Sequence, residues 1–345
     1  MESEKRKTVS PQNHSQVEYG PIRGGSKMEL YIWPSDFGLP SIDSRCLQFM
    51  ACAKFCAAPV SVIPSWSPWK SRKGEYPMFI DRSNVIEEIY DFDKFADILR
   101  KSGQDVVLDS ELRTSEKCEF EAYSSLMHLN FYPAELQFLW LDPYNYAAIT
   151  QHWYSKQLPF GYNLYYLEKR RRRAQAYVSA CGRTETQIIH DAVNTINFLE
   201  YRLNNKKYFY GDKPNSIDAL IFGYLAPILK LPLPSDRLQQ HIMSCPNVVR
   251  FIESIISIYL PLSETQIRQQ ATLKDKWHNR RRRAQKEAAQ VNLRRTTVKE
   301  QQPSGPVAET IFFAVGALTL SVLFAVHCGL VTFGVVEEEP QFEML

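Results

Sequence analysis

Thiols and imidazoles are the first side chains to test for chemistry, because cysteine and histidine supply many nucleophiles, general bases and metal ligands. The chain has seven of each. The cysteines are odd in number, irregularly spaced and without a C-x-x-C pair, which favours reduced thiols over a disulfide framework. Cys52 and Cys56, four residues apart in an apolar stretch, are predicted to fill a helix face rather than bind metal. The cysteines are Cys46, Cys52, Cys56, Cys118, Cys181, Cys245 and Cys328.

Recognised catalytic signatures are missing from the sequence. The histidines are scattered and no two have ligand spacing, and there is no G-x-S-x-G, H-E-x-x-H or P-loop motif. We therefore predict no catalytic residue, no cofactor-binding residue and no metal ligand, and we do not expect the chain to be an enzyme.

A small α/β unit over residues 28–103 must position whatever chemistry the N-terminal part carries. Its strands are short and β-prone, and the segment between the first two has apolar residues at helical spacing. The predicted order is β-α-β followed by β-β-α. The elements are Met28–Trp33, a helix Ser41–Ala57, Pro59–Ile63, Pro77–Ile80, a possible fourth strand Asn84–Ile86, and a helix Phe92–Lys101.

The pattern from Ser115 onward is helical almost throughout, so an all-helical domain is predicted over residues 115–261. Thr184 and Gln187 form a capping-box pattern that opens one helix. Further helices are predicted at Ser216–Lys230 and Asn247–Tyr259. The fold class is therefore α+β, and the 44% hydrophobic and 23% charged residues are typical of a globular protein.

Residues 311–336 are uncharged and strongly apolar, which predicts a single C-terminal transmembrane helix. As a helix this segment is about 39 Å long, enough to cross a bilayer core of about 30 Å with some tilt. Basic residues precede it, whereas the short tail 337–345 is acidic. The positive-inside rule then places the N-terminal part in the cytosol, as in a tail-anchored, single-pass protein.

Two further segments look different from the globular part. Residues 1–27 lack periodicity and are predicted to be a disordered extension. Residues 262–310 are basic and rich in glutamine, which indicates a partly helical linker. The string RRRRAQ occurs at 170–175 and 280–285. The second copy either touches anionic headgroups or is simply solvated, and the net charge of +3 does not by itself indicate nucleic-acid binding.

The order of elements resembles the glutathione transferase superfamily, in which a thioredoxin-like domain precedes an all-helical one. Pro77 opens the third strand where that superfamily places a cis-proline. Asn215 and Asp218 stand where its helix-capping Ser/Thr-x-x-Asp motif lies. The resemblance implies structural roles for these three residues.

A closer resemblance is to the metaxin family, over residues 28–261, and in particular to its tail-anchored members. It is carried by the order and spacing of short motifs rather than by any one of them. The motifs are Phe37–Pro40, Ala58–Val60, Trp66–Trp69, Trp153-Tyr154, Leu158–Phe160, Tyr208–Asp212, Ser216–Asp218 and Leu231–Ser235.

The metaxin resemblance implies a function in protein transport at the mitochondrial outer membrane. It implies a non-catalytic accessory subunit of the sorting and assembly machinery (the SAM complex), which inserts β-barrel proteins. The implied partners are a second, anchorless metaxin, the barrel subunit of that machinery and a cristae-organising complex.

The alternative is a tail-anchored glutathione-dependent transferase. Such an enzyme needs a hydroxyl or thiol near the start of the first helix, where Ser35 and Ser41 are available. Both are better explained as turn and capping residues, with Ser41 as a natural N-cap. The enzyme also needs an acid–serine pair after the fourth strand, where Glu87 and Glu88 supply no hydroxyl. We therefore expect no efficient glutathione turnover.

Trp66 and Trp69 are the remaining residues that could serve an interaction. They lie in the loop before Pro77. Either they form a contact surface for a partner or they pack over the N-terminal domain, and the sequence does not separate these alternatives.

Overall fold

A computed structural model of the 345-residue chain describes residues 28–82, 87–102, 106–301 and 307–327. Three of the expectations above lie outside these residues: the N-terminal extension 1–27, the possible strand at 84–86 and the acidic tail 337–345. The described part also leaves out residues 302–306 of the predicted linker and 328–336 of the predicted span.

The N-terminal part contains a four-stranded mixed sheet with two helices. Strand β1 pairs in parallel with β2 and antiparallel with β3, and β3 pairs antiparallel with β4, so the strand order is β2-β1-β3-β4. The predicted β-α-β and β-β-α order is confirmed. The elements are β1 (Met28–Ile32), α1 (Ser44–Phe55), β2 (Val60–Pro64), β3 (Met78–Asp81), β4 (Glu88–Ile89) and α2 (Phe92–Lys101).

Helix α1 begins three residues later than the sequence pattern predicts. Asp43, not Ser41, is its N-cap, and the Asp43 carboxylate accepts a hydrogen bond from the Cys46 N–H at 3.1 Å. The prediction of Ser41 as N-cap is wrong because a carboxylate two residues further on is an equally good cap and also complements the helix dipole.

Helices make up the rest of the described chain. The helices are α3 (Thr114–Leu126), α4 (Tyr132–Leu136), α5 (Pro143–Asn145), α6 (Gln151–Gln157), α7 (Tyr162–Ala180), α8 (Glu185–Leu203), α9 (Ser216–Lys230), α10 (Arg237–Met243), α11 (Pro246–Tyr259), α12 (Glu264–Gln301) and α13 (Val307–His327). Three π-helical segments lie between α3 and α6. They are Met127–Phe131, Gln137–Leu141 and Tyr146–Thr150.

Helix α8 starts and packs as its sequence predicts. Thr184 and Gln187 form the expected capping box. Its apolar residues form a stripe that is buried along its whole length, because apolar residues three and four apart share one face of a helix. The stripe consists of Ile188, Ala192, Ile196, Leu199 and Leu203.

The sheet unit and the helical part share one hydrophobic core, and α1 meets α9 at very short range. Gly223 of α9 has no side chain to hold the helices apart. A Cβ at this position would lie 2.6 Å from the Ser44 carbonyl oxygen and 2.9 Å from the Gln48 backbone nitrogen. The Gln48 side-chain amide donates to the Leu220 carbonyl at 3.3 Å. This close approach fixes how the sheet unit sits on the helices.

The first half of α12 belongs to the folded body, whereas the sequence pattern predicts a linker from residue 262. The chain divides into two compact units, of which the first extends to Lys286 and the second begins at Glu287. Trp277 and Ala284 of α12 are buried in the first unit. The folded body therefore extends 25 residues beyond residue 261, the end that the composition indicates.

The second unit contains α13, which covers the described part of the predicted span. Among the residues that the structure describes, no helix has both the length and the apolar character that a membrane crossing needs.

Candidate functional site at the junction of the sheet and the helices

The two serines considered for a transferase site lie on either side of the turn that follows β1. Ser35 is half-buried, and Ser41 has no solvent exposure at all. The Ser41 hydroxyl accepts a long hydrogen bond of 3.5 Å from the Asp43 N–H. In this structure a substrate thiol therefore has no path to the Ser41 hydroxyl.

The turn between the two serines is covered by two other parts of the chain. The Asp36 carboxylate accepts hydrogen bonds from the Trp153 indole N–H at 2.9 Å and from the Phe37 N–H at 2.8 Å, and burial raises the pKa of this carboxyl. Gln270 of α12 accepts from the Gly38 N–H at 2.7 Å. The Trp277 ring packs edge-on against Phe37 with a centroid distance of 4.9 Å. Helix α12 thus closes this edge of the junction.

The region of β4 is also occupied by internal contacts. The Glu88 carboxylate accepts hydrogen bonds from the Tyr90 hydroxyl and, at 2.9 Å, from the Arg72 N–H. Glu87 is exposed. Glu87 is followed by Glu88 and Glu88 by Ile89, so neither residue supplies the acid–serine pair expected of a transferase at this place.

The described residues also offer little support for a reactive thiol or a metal site. The six cysteines there are free, and burial raises the pKa of the Cys46 and Cys52 thiols well above the usual range. Such thiols stay neutral and are poor nucleophiles. No group of three or more His, Cys, Asp or Glu side chains in the described ranges is arranged to hold a metal ion. Cys328 lies outside these ranges.

A cavity of about 190 Å³ lies between the start of α1 and the helices α4 and α7. Charged side chains from both sides line it. From the sheet unit come Asp43, Arg45 and Glu75, and from the helices Glu135, Arg170 and Arg173.

The charges around this cavity form a network that ties the two parts together. The Glu75 carboxylate lies 3.6 Å from Arg45 and 3.8 Å from Arg170, and it also pairs with Arg173. Arg170 is 3.4 Å from Asp43, and its guanidinium lies 4.9 Å from the Trp140 ring centroid. Because acids of the sheet unit pair with arginines of α7, the network resists separation of the two parts.

Glu135 differs from the other acids around the cavity in how its carboxyl is satisfied. Its side chain is buried, and its Oε2 has no hydrogen-bond partner among the described residues. Burial raises the pKa of the carboxyl to about 8, so the group is mostly protonated at neutral pH. The arrangement around the cavity holds two parts of the protein together.

The three residues assigned structural roles lie at two ends of the junction. The Tyr76–Pro77 peptide bond is cis and precedes β3. Asn215 caps α9 by accepting from the Ile217 and Asp218 N–H groups. Asp218 returns a bond to the Asn215 N–H at 2.8 Å and also accepts from the Phe209 N–H at 3.0 Å. Asn215 and Asp218 therefore organise the backbone at the start of α9.

Trp66 and Trp69 lie in the β2–β3 connection and pack against the helical part. The Trp66 indole N–H donates to Gln157 at the end of α6 at 2.8 Å. The Trp69 ring lies 5.1 Å from that of Tyr162 at the start of α7. Both rings are still about half exposed, at 49% and 47%. The contacts observed for these rings are with the helical part and not with the N-terminal domain, and a role in binding a partner stays a prediction.

Sequence reasoning missed the cavity network and the part played by α12. Glu75, Glu135 and Arg170 are 35 or more residues apart in sequence, so only the fold brings them together. The one signal for a packed α12 was Trp277, an isolated large aromatic residue within an otherwise polar, basic segment.

Comparison with known proteins adds family information to this geometry. A family model described as outer mitochondrial membrane transport complex protein matches residues 46–171, and one described as glutathione S-transferase, C-terminal domain, matches residues 192–255. The chain therefore has a transferase-like fold, with a small mixed sheet and a mostly helical C-terminal part.

Relatives of this chain have been named in several animals. The chain is 48% identical over 313 residues to a metaxin-1 homolog of Caenorhabditis briggsae, covering 90% of this chain and 99% of that protein. It is 34% identical over 241 residues to metaxin-3 of Xenopus laevis, covering 67% and 76% of the two chains. A glutathione S-transferase of Ceriporiopsis subvermispora, solved with glutathione, is similar in structure with a TM-score of 0.49 and 15% identity, over 69% of this chain and 99% of that one.

Proposed function

The chain belongs to the metaxin family, and from that membership we propose that it is a non-catalytic accessory subunit of the machinery that sorts and inserts β-barrel proteins. The family description and the names of the relatives support a role in protein import at the mitochondrial outer membrane. The assignment to the sorting and assembly machinery is more specific, because it names β-barrel proteins as the class that the chain helps to insert.

One structural observation carries the non-catalytic part of the proposal. Of the two hydroxyls that a transferase could use here, that of Ser41 is closed off, because Ser41 has no exposure and α12 covers the adjacent turn through Gln270 and Trp277. A thiolate needs a hydrogen-bond donor close to the reacting sulfur. The packed helix supports a role in binding proteins over a role in turning over a thiol.

The proposed partners and topology follow the family. The partners are a second, anchorless metaxin and the barrel subunit of the machinery, with a cristae-organising complex as a further associate. We place the folded body in the cytosol and the single membrane anchor at residues 311–336, because this uncharged run follows a basic segment and precedes an acidic one.

Purification from the membrane tests this proposal. Outer membranes that contain the tagged full chain are washed with alkaline carbonate, and the retained protein is then extracted in mild detergent and isolated. We expect the chain to stay in the washed membrane and to bring the barrel subunit and the second metaxin with it. Release by carbonate would contradict the anchor, and isolation as a single chain would contradict the accessory role.

A further inference from the structure

An exposed group of aromatic side chains lies where the β2–β3 connection meets the α6–α7 connection. We define this aromatic cluster as Trp66, Trp69, Phe160, Tyr162 and Tyr165. Three of its rings are contiguous, since the Trp69 and Tyr162 centroids are 5.1 Å apart and those of Tyr162 and Tyr165 are 6.0 Å apart. The Trp66–Gln157 hydrogen bond holds Trp66 beside the segment that leads to Phe160.

Phe160 gives the aromatic cluster its shape. The residue lies at a loop tip between Pro159 and Gly161, whose φ of +87° turns the chain into α7. The Phe160 side chain is 93% exposed, and Tyr165 is 59% exposed. Because an aromatic side chain carries roughly 150–250 Å² of surface, Phe160 and the two half-exposed tryptophans leave about 400 Å² in water. Exposed aromatic surface of that amount, on two neighbouring connections, is typical of an interaction surface.

Two lysines border the aromatic cluster. Lys70 directly follows Trp69, and the Lys169 ammonium lies 5.7 Å from the Tyr165 ring centroid. Neither of these lysines belongs to an ion pair within the described part of the chain.

Acidic groups near the cluster are already paired with arginines. Glu168 lies 2.6 Å from Arg172, Glu88 lies 4.0 Å from Arg72, and Glu75 is surrounded by the arginines of the cavity network. The border of the cluster is therefore cationic.

We propose that the aromatic cluster is a peripheral membrane contact that seats the folded body on an anionic lipid surface. Phe160 enters the headgroup region, Trp66, Trp69 and Tyr165 lie at the interface, and Lys70 and Lys169 contact lipid phosphates. Tryptophan and tyrosine favour this depth because their rings are amphipathic, and each lysine near an anionic surface adds attraction.

A bilayer fits this surface better than a protein partner does. A side chain that protrudes from a loop tip needs a matching pocket on a rigid protein, whereas the headgroup layer yields to it. A bilayer with anionic lipids also offers negative headgroups to the cationic border and apolar chains to the aromatic centre. The inference goes beyond the proposed function, which names protein partners, and it depends on residues 66–169 rather than on the anchor.

Depth-sensitive fluorescence tests the contact on the full chain. Phe160→Trp places a reporter at the loop tip. Tyr201→Trp is the matched control, since Tyr201 is 84% exposed on α8 and lies outside the cluster. Each variant is reconstituted into vesicles with lipids brominated near the headgroup, with phosphatidylserine or with phosphatidylcholine alone, and its emission is compared with that of the parent protein.

The expected result is a loss of emission from the reporter at position 160 in phosphatidylserine vesicles, a smaller loss in neutral vesicles, and none at position 201. Adding Lys70→Glu and Lys169→Glu to the reporter should reduce the loss, while the corresponding arginine changes should preserve it. An equal loss of emission at positions 160 and 201 would overturn the proposal. So would a Phe160→Asp variant that keeps its lipid contact but loses a co-purifying protein, because the cluster would then be a protein-docking surface.

This readout is independent of the proposed function. A chain that fails to bring down the barrel subunit can still show quenching at position 160, and a chain in the expected complex can fail to show it. The two proposals are therefore tested separately.

Discussion

At the scale of single residues, Glu135 is the side chain whose chemistry the fold changes most. Burial raises the pKa of its carboxyl to about 8, the negative charge of Asp43 adds to this shift, and the Ser44 hydroxyl, Arg170 and Arg45 oppose it. The native state therefore holds a proton that the unfolded chain, with an ordinary pKa near 4.5, releases.

The free energy of unfolding should fall as the pH rises through this interval. Below pH 4.5 both states are protonated, whereas between about 4.5 and 8 only the native state is, so stability drops by up to about 1.4 kcal/mol per pH unit from this group. Glu135→Gln keeps the shape of the side chain but removes the titrating carboxyl. The free energy of unfolding of this variant should therefore vary less between pH 5 and pH 8. Urea unfolding at several pH values measures the difference.

Glu121→Gln, at an exposed position of α3, is the control and should keep the pH dependence of the parent. If Glu135→Gln also retained that dependence, Glu135 would be ionised in the native state and the account of the cavity would be wrong.

Residue-scale prediction from sequence worked where contacts are local. The bonds between Asn215 and Asp218 span three residues, so their spacing was enough to place the cap. Ser41 was assigned the wrong role because Asp43, a second good cap, lies two residues away. Glu135 could not be identified, because its surroundings come from α1 and α7, which are distant in sequence.

At the scale of elements, the pairing of α1 with α9 depends on Gly223. An added methyl group would lie 2.6 Å from the Ser44 carbonyl oxygen, which belongs to the backbone and cannot move without shifting α1. Gly223→Ala should therefore lower the free energy of unfolding, by about 1–3 kcal/mol, although alanine is the better helix former. Urea unfolding followed by circular dichroism measures the change.

Gly316 of α13 is a matched control, since it is a helical glycine and an added Cβ meets nothing within 4 Å. Gly316→Ala should not destabilise the protein. A Gly223→Ala variant as stable as the parent would show that α1 and α9 lie further apart than in this structure.

Helix α12 shows why an element can be predicted while its packing is not. Its low apolar content and many basic residues are typical of a linker, and most side chains of the described stretch 264–291 are exposed, as this predicts. Trp277 packs because Phe37 and His152, more than 100 residues away in sequence, form a site for its ring. Composition averages over a segment and cannot identify one such contact.

At the scale of the whole molecule, the sequence predicted the order of the elements and the change from a sheet unit to helices. Alternation and helical spacing are local properties, so α2 and α9 lie at the predicted residues. How the sheet unit meets the helices was not predictable, because Gly223, the cavity network and α12 each join residues that are far apart along the chain.

The central claim is that this metaxin acts by association with other proteins and not by thiol chemistry. The most direct measurement is the assembly of a β-barrel precursor in mitochondria that lack the chain, after resupply of the full chain or of its Ser35→Ala variant. We predict that both restore assembly equally and that neither conjugates glutathione. Assembly that does not depend on the chain, or restoration that is lost in Ser35→Ala together with a measurable glutathione turnover of the parent, would contradict the account.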